Sequence, residues 1–135
     1  MLKARPAKEL VLRMPNEIGT LNKIAKALAD KGFNILAVSA WVEGAEAVVR
    51  LLTDEPARAA DTLKAQKYAV REKDVIVAEV AHKPGMLRGI TDKLALEEID
   101  IHHLYASAPA GDQQCLVVFA TANNDRAMVR LNAGR

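Results

Sequence analysis

The chain has 135 residues, half of them hydrophobic, and a formal net charge of +2. This length allows one ordinary domain or two very small ones, and the lack of a clustered basic face argues against a nucleic-acid partner. Because Cys115 is the single cysteine, an internal disulfide and a cysteine-cluster metal site are excluded. Residues 1–8 are charged rather than a signal peptide, and no apolar run approaches the ~20 residues of a membrane span, so we expect a cytoplasmic protein with no membrane partner.

The first half of the chain predicts alternating strands and helices. In chain order these are a strand over 9–14, a helix over 19–31, strands over 34–42 and 47–52, a second helix opening at Asp54-Glu55-Pro56, and a short strand over 68–72. Gly32 is a natural residue to close the first helix, and Gly44 turns the hairpin. Asp54 is predicted as the N-cap of the second helix, with Pro56 in its first turn.

The second half repeats this pattern. Gly85 lies 66 residues after Gly19, and apolar positions on both sides coincide at that offset. The offset becomes 68 after a turn around Ala110-Gly111-Asp112, where two extra residues fall. The predicted elements are a strand over 74–80, a helix over 85–96, strands over 100–107 and 114–120, and a helix over 124–131. The order is therefore βαββαβ, given twice, with the last strand missing from the second copy.

These patterns predict an α+β fold of two ferredoxin-like units in tandem, each with its helices on one face of an antiparallel sheet. We expect a tail over 1–8, a first domain over 9–72 and a second, C-terminally truncated domain over 73–135. Lys73 and Asp74 are nearly the whole linker, which implies a fixed joint. The missing strand would leave an unpaired sheet edge, so we predict that a partner subunit or residues 1–8 cover it.

The loop between the first strand and first helix of each repeat is the best candidate for chemistry. A helix N-terminus offers unpaired N–H groups and partial positive charge to an anion such as a carboxylate. Gly19 and Gly85 remove the Cβ that would keep a ligand from the backbone, while Asn16 and His82 can add side-chain hydrogen bonds. The alternative is that these glycines only start helices and that Asn16 only caps one.

No catalytic or metal-binding set stands out. The chain has no P-loop, no GxGxxG and no recognisable nucleophile context, so we expect neither an enzyme nor a bound cofactor. His102 and His103 are adjacent on a predicted strand and point to opposite faces, so they cannot chelate one ion together. Cys115 is predicted as a small core residue. Trp41 is predicted as a core or interface anchor, with a ligand pocket as the alternative.

The ACT domain family has a motif pair that these repeats resemble. One copy is Pro15-Asn16-Glu17-Ile18-Gly19-Thr20-Leu21 with Lys31-Gly32-Phe33-Asn34-Ile35, and the other is His82-Lys83-Pro84-Gly85-Met86-Leu87 with Glu98-Ile99-Asp100-Ile101. The resemblance runs from about residue 9 to residue 131, so the chain looks like a stand-alone pair of ACT domains. It implies a βαββαβ fold, amino-acid binding and assembly through side-by-side sheets.

The resemblance also implies which residues bind the amino acid. Ligand-binding members hold it at an interface between two ACT units, by the strand-to-helix loop of one and the Asn of a G-x-N-I segment. Carried over, the ligand-binding residues are Asn16, Glu17, Ile18, Gly19, Thr20 and Asn34 in the first repeat, and His82, Lys83, Pro84, Gly85, Met86 and Asp100 in the second. The chain departs from the family at Ile18, where Pro is common, and at His82 and Asp100, where Asn is usual. His82 with Asp100 would form a titratable pair in place of Asn16 with Asn34.

The preferred function is therefore an amino-acid sensor that regulates a partner enzyme in trans and assembles as a homodimer or higher homo-oligomer. Its mechanism would be linkage, in which the ligand bridges two units and favours one arrangement. The alternative is a regulatory subunit that assembles through its sheets and binds no ligand. A third class, another ferredoxin-like protein such as an RNA-binding domain, lacks the stacking aromatic motif that it would need.

Overall fold

The structure is a computed structural model and describes residues 2–107 and 114–133. Within these ranges the elements are β1 (Lys3–Pro15), α1 (Thr20–Asp30), β2 (Ile35–Glu43), β3 (Glu46–Thr53), α2 (Pro56–Ala65), β4 (Val70–Val80), α3 (Met86–Leu96), β5 (Ile101–Ser107), β6 (Cys115–Thr121) and α4 (Asn124–Asn132). The predicted alternation of strands and helices is confirmed. The predicted turn at Ala110-Gly111-Asp112 lies outside the described residues.

The chain forms two compact units. Unit one comprises residues 8–73, and unit two comprises residues 74–135 together with residues 1–7. The strands β1 and β4 each run through a unit boundary, so each strand contributes one segment to each unit. No helix in the part of the chain that the structure describes is both long and apolar enough to cross a membrane.

Unit one has its strands in the order β2-β3-β1-β4, with antiparallel pairing of β2 with β3 and of β3 with β1. Alternate residues of β1 and β3 face α1 and α2, as the two-residue period of a strand requires. The helices supply apolar residues at helical spacing, which close the core against that sheet face. The largest fully buried members of this core are Leu10, Leu12, Ile24, Leu28, Leu51 and Leu63.

Unit two has the equivalent order β5-β6-β4-β1. Its core lies between one sheet face and the helices α3 and α4. The core residues that are fully buried on this face include Ile76, Ala78, Ile90, Leu94, Phe119 and Leu131. The ferredoxin-like arrangement with helices on one face is thus present in each unit, as predicted.

In unit two the strand position beside β4 is occupied by the N-terminal part of β1. Leu2 and Ala4 pack against the core of unit two. The side chain of Asn132, at the end of α4, accepts a hydrogen bond from the Ala4 N–H at 3.1 Å and donates one to the Ala4 carbonyl at 3.0 Å. Of the two candidates predicted to cover this edge, the N-terminal segment is the one that lies there.

Two local predictions are wrong. No linker exists at Lys73 and Asp74, because both residues lie within the continuous strand β4. The segment has no Gly or Pro to interrupt pairing, and its charged side chains are exposed. Asp54 is not the N-cap of α2. That position belongs to Glu55 in the left-handed conformation, while the Asp54 carboxylate accepts a hydrogen bond from the Asn34 N–H at 3.0 Å. Pro56 is the first residue of α2, as predicted.

The C-terminal ends of α1 and α3 have the same backbone hydrogen-bond pattern. After α1, Gly32 has φ +81°, and the N–H groups of Gly32 and Phe33 donate to the carbonyls of Ala29 and Leu28 at 3.0 Å each. This is a Schellman ending, which favours Gly at the left-handed position. After α3 the same ending places a non-glycine residue, Glu98, at φ +54°.

Candidate ligand-binding loops

The loop of unit one is fixed by backbone hydrogen bonds. The Asn16 N–H donates to the Ala45 carbonyl in the β2–β3 turn at 2.8 Å, and the Thr20 N–H donates to the Glu17 carbonyl at 3.2 Å. Gly19 has φ +88° and ψ +1°, the third position of a type II turn, which requires a residue that tolerates positive φ. A Cβ built on Gly19 meets no atom within 4 Å, so backbone conformation rather than crowding favours glycine here.

The loop of unit two has the same backbone. Gly85 has φ +88° and ψ −4°, within a few degrees of Gly19. Pro84 precedes it, at the position of a type II turn where proline is favoured. The two loops therefore converge on one geometry although their sequences share only the glycine and the leucine that follows the first helical residue.

The helices that follow these loops begin with unpaired N–H groups. The first backbone bonds of α1 and α3 are donated by Lys23 and Gly89, so the N–H groups of the residues just before them have no helical acceptor. Neither helix has a side-chain cap or an acidic residue in its first turn. By contrast, α4 is capped by Asn123, which accepts from the Arg126 N–H at 3.1 Å. The helix α2 also lacks a side-chain cap, but Pro56 removes one of its N–H groups.

A cavity lies at each of these helix N-termini, of about 290 Å³ in unit one and 320 Å³ in unit two. Eight lining residues of each cavity coincide in the repeat, at the offset of 66 before the hairpin turn and 68 after it. The equivalent pairs are Asn16 and His82, Glu17 and Lys83, Thr20 and Met86, Leu21 and Leu87, Ala40 and Ala106, Trp41 and Ser107, Ala47 and Cys115, and Val49 and Val117. The cavity is thus a property of the repeated fold.

Strand alternation decides which side chains reach the cavity. Ala40 pairs with Val49 of the unit-one core and so faces the helices. Trp41 is the next residue and its indole lies on the opposite face, with the Arg50 guanidinium carbon 5.9 Å from the ring centroid. Trp41 is 38% exposed, so the prediction that it is a core residue is wrong. Its role as an interface anchor stays a prediction.

Besides Trp41 and Ser107, four equivalent pairs differ in chemistry between the cavities. A neutral amide, a carboxylate and a hydroxyl in unit one become an imidazole, an ammonium and a thioether in unit two. On the opposite wall a methyl group becomes a thiol. These pairs are Asn16 and His82, Glu17 and Lys83, Thr20 and Met86, and Ala47 and Cys115. The two cavities thus have similar volumes and lie beside the same backbone turn but differ in charge.

Within unit two the His82 and Asp100 side chains have other neighbours, so their pairing at an interface between ACT units stays a prediction. The His82 Nδ1 lies 3.3 Å from the Cys115 Sγ at the cavity of unit two. The Asp100 carboxylate instead lies 3.9 Å from the His102 Nε2, and both side chains are exposed. Cys115 is half-buried and packs on the core, so its predicted core position is only partly right. His82 and Asp100 are far apart because of the position of Asp100 in the fold.

Asn34 and Asp100 lie at the far end of their hairpins from the loops. In unit one, Asn16 bonds to the turn between β2 and β3, whereas Asn34 bonds to Asp54 just beyond the open end of that hairpin, where Ile35 pairs with Thr53. The nine residues of β2 separate these ends by about 30 Å. In unit two the Asp100 carbonyl similarly accepts from the Ala122 N–H, beyond the end of β6. Within one unit these residues do not meet the loop.

Other predicted site residues contribute differently. Ile18, Pro84 and Gly85 shape the loops without lining a cavity, and Ile18 is fully exposed. The sequence prediction missed the far wall of each cavity, which the hairpin supplies. The signal for that wall was the repeat itself, because Ala40 with Ala106 and Val49 with Val117 are equivalent small or aliphatic pairs. In residues 2–107 and 114–133 no group of His, Cys, Asp and Glu is arranged to hold a metal ion.

Comparisons with known proteins identify the family. A family profile described as "ACT domain pair" matches residues 7–132. The crystal structure of protein BT0572 from Bacteroides thetaiotaomicron is similar at 26% identity, covering 95% of this chain and 88% of that one, with a TM-score of 0.87. The ligand-free regulatory subunit of aspartate kinase from Thermus thermophilus is similar at 12% identity, covering 93% and 90%, with a TM-score of 0.65.

The regulatory subunit of aspartate kinase from Thermus flavus is similar at 15% identity, covering 98% of this chain and 92% of that one, with a TM-score of 0.63. At such low identities the two aspartate kinase subunits are evidence of a shared fold alone. No curated protein sequence matched the chain. The match to the family profile spans nearly the whole chain, and the resemblance seen in the sequence is confirmed: this protein is a member of the ACT domain pair family.

Proposed function

We propose that this protein is an amino-acid-sensing regulatory protein that binds a small amino acid at its loop cavities and acts on a partner in trans. The observation that carries this proposal is that the two units have cavities at equivalent positions of the repeat. The cavities share eight pairs of equivalent lining residues, and each opens beside a helix N-terminus that has neither a side-chain cap nor an acidic residue in its first turn. An anion such as a carboxylate is the natural partner for those N–H groups.

In the proposed binding mode for unit one, the ligand carboxylate accepts hydrogen bonds from the N–H groups of Leu21 and Asn22. Both residues line the cavity, and their N–H groups precede the first donor of α1. The ligand side chain points towards Ala40 and Ala47, whose methyl groups leave room for a small aliphatic group. Glu17 at the rim supplies a negative charge for the ammonium group.

The same mode in unit two has different partners. Lys83 replaces Glu17, so the ammonium group of a ligand would be disfavoured there unless another acid compensates. We propose that Asp100 or Asn34 of a second copy provides this contact, because neither residue meets a loop within its own unit. A ligand that bridges two copies in this way would favour one mutual arrangement and so couple binding to regulation.

The proposal implies a regulatory role rather than catalysis. ACT domains are regulatory domains, and the cavities bring together backbone donors and aliphatic groups rather than a nucleophile with its base. We further propose a cytoplasmic homodimer that assembles through the edge strand β2. Leu36, Val38 and Val42 of this strand are roughly half exposed, which is typical of a surface that a second sheet covers. Light scattering tests the dimer.

The decisive experiment is a thermal-shift screen of the twenty amino acids. A ligand at 100 times its Kd stabilises the folded state by about 2.7 kcal/mol, which raises the Tm by several degrees. In Leu21→Pro the N–H that we assign to the carboxylate is removed, while proline in the first turn of a helix costs little. Leu21→Ala is the matched control, since it shortens the side chain and keeps the N–H.

Two further variants separate the cavities. Ala40→Trp fills the cavity of unit one, and Ala106→Trp fills that of unit two. We expect one of them to abolish the shift that a given amino acid produces, and the other to leave it. If no amino acid stabilises the wild-type protein, the sensing proposal is wrong and a subunit that assembles without a ligand is favoured.

A further inference from the structure

We infer that unit one has a second site, which binds a phosphorylated small molecule carrying two or more negative charges, of the size of a nucleoside diphosphate. The site is a cavity of about 750 Å³, more than twice the volume of either loop cavity. It shares no lining residue with the loop cavity of unit one. Its size lies within the usual range for small-molecule pockets.

Positive charge dominates the lining of this cavity. It is lined by five cationic side chains and no acidic one: Arg13, Arg50, Lys64, Arg71 and Lys73. Arg50 is bonded to the buried Glu9 at 2.7 Å, and Arg13 lies 3.5 Å from Glu43 and from Glu46. The other three cations have no ion pair among the residues that the structure describes. Several like charges around one cavity repel each other, and a bound anion would relieve that repulsion.

Residues of β4, β3 and β1 bring these charges together at the cavity. Arg71 and Lys73 are two residues apart on β4 and therefore lie on the same face of that strand. Arg50 of β3 lies opposite Val11 of β1, and Arg13 follows two residues later on the same face of β1. Arg side chains bind phosphate through paired hydrogen bonds, and Lys adds a point charge.

The cavity also has an apolar part. Tyr68 and Val70 are partly buried against the core of unit one, and both line the cavity beside Val11. A zwitterionic amino acid would leave most of this volume and charge unmatched. A ligand with a ring system and a diphosphate group fits both parts, because an aromatic side chain can stack on a base while the cations hold the phosphates.

Unit two shows that the fold does not need these cations. At the equivalent positions, Arg13 becomes Glu79, Arg50 becomes Val118 and Lys64 becomes Asn132. Asn132 has a structural role there, since it bonds the Ala4 backbone. The basic cavity is therefore a feature of unit one alone among these equivalent positions, as expected of a ligand site rather than of a packing requirement.

The test is calorimetric titration of the full chain with ATP, ADP, AMP and adenosine at constant ionic strength, with pyrophosphate as competitor. We expect ADP and ATP to bind more tightly than AMP, adenosine not to bind, and pyrophosphate to compete. Arg71→Ala and Lys64→Ala should each weaken ADP binding about tenfold, the loss of one charge-assisted hydrogen bond. Lys23→Ala, which removes an exposed helix lysine outside the cavity, should leave binding unchanged.

Control variants distinguish ADP binding at this cavity from ligand binding at the loop cavities. Leu21→Pro should bind ADP as the wild type does, and Arg71→Lys, which keeps the charge but not the paired hydrogen bonds, should recover part of the affinity that Arg71→Ala loses. Circular dichroism melting confirms that each variant is folded. The inference is wrong if ADP binds no more tightly than sulfate at equal ionic strength, or if the Arg71 and Lys64 variants bind ADP as well as Lys23→Ala does.

Discussion

Unit one and unit two have the same backbone at their loops and different chemistry around them. The φ angles of Gly19 and Gly85 are both +88°, and the cavities beside them differ by about 30 Å³. Glu17 and Lys83, at equivalent positions, carry opposite charges. The repeat therefore fixes the position and the approximate volume of the cavity, while individual side chains determine its charge.

A second difference lies on the helix-free face of the sheets. Unit one has a fully buried Glu9 bonded to Arg50, whose guanidinium group lies over Trp41. Unit two has buried Val75 and Val118 at the equivalent positions. A buried ion pair and a valine pair thus occupy the same place in one fold, so the charges are not required for folding.

The largest effect that we predict follows from breaking this ion pair. Glu9→Ala should lower the free energy of unfolding by about 3 kcal/mol, because it removes the carboxylate that the mostly buried Arg50 bonds at 2.7 Å. The double variant Glu9→Val with Arg50→Val copies unit two and should recover most of that loss. A urea-unfolding cycle of the two single variants and the double variant measures the coupling. If the double variant lost as much unfolding free energy as the single variants, a valine pair would not be equivalent to the ion pair at this place.

A smaller loss is expected where the N-terminal strand joins unit two. Asn132→Ala removes two hydrogen bonds to the Ala4 backbone and should cost about 2 kcal/mol of unfolding free energy. The equivalent residue of unit one is Lys64, whose side chain is exposed, so Lys64→Ala should change stability by less than about 0.5 kcal/mol. Hydrogen exchange should show the loss in unit two. Equal effects of both variants would argue that Asn132 does not hold the strand.

Exchanging the residues that end α1 and α3 should change stability in opposite directions. Glu98→Gly gives unit two the glycine of unit one and should raise the unfolding free energy by about 1 kcal/mol, because Glu98 is held at positive φ. Gly32→Ala should lower it by a similar amount. Thermal unfolding measures both. Destabilisation by Glu98→Gly would show that the glutamate side chain contributes more than its backbone strain costs.

The smallest effect concerns the loop turns. Ile18 stands where unit two has Pro84, and its side chain is fully exposed. Ile18→Pro should raise the unfolding free energy by about 0.5 kcal/mol by restricting the unfolded chain. Chemical denaturation measures the gain, and the amino-acid screen should be unchanged. A loss of stability would mean that the two turns differ at this position despite their matching glycines.

The alternation of strands and helices could be predicted because it depends on local patterns. As expected, Gly32 closes α1 and Pro56 begins α2. Asp54 was misassigned because its carboxylate bonds to Asn34, a residue twenty positions away that no local pattern reveals. The predicted linker failed for a related reason, since strand pairing rather than local sequence carries β4 through Lys73 and Asp74.

The candidate site was predictable in part. The loops follow from two glycines in a repeated context, and each contributes residues to a cavity. Within one unit Asn34 and Asp100 do not meet the loops, because α1 and α3 carry the chain to the opposite end of the hairpin, so their contact with a ligand between two units stays a prediction. Neither the buried Glu9 nor the basic cavity could be predicted, since both arise from strand neighbours that are far apart in the sequence.

The bond between Ala4 and Asn132 also determines the order in which the units can be completed during synthesis. These residues are 128 positions apart, which at about 5–20 residues per second corresponds to roughly 6–26 seconds of translation. All residues of unit one lie before Asp74, so its chain is complete while the ribosome is still making the rest. Leu2 and Ala4 must wait for the last helix, with their apolar side chains uncovered. Premature pairing of this segment with another chain is the hazard that a slow C-terminal half would create.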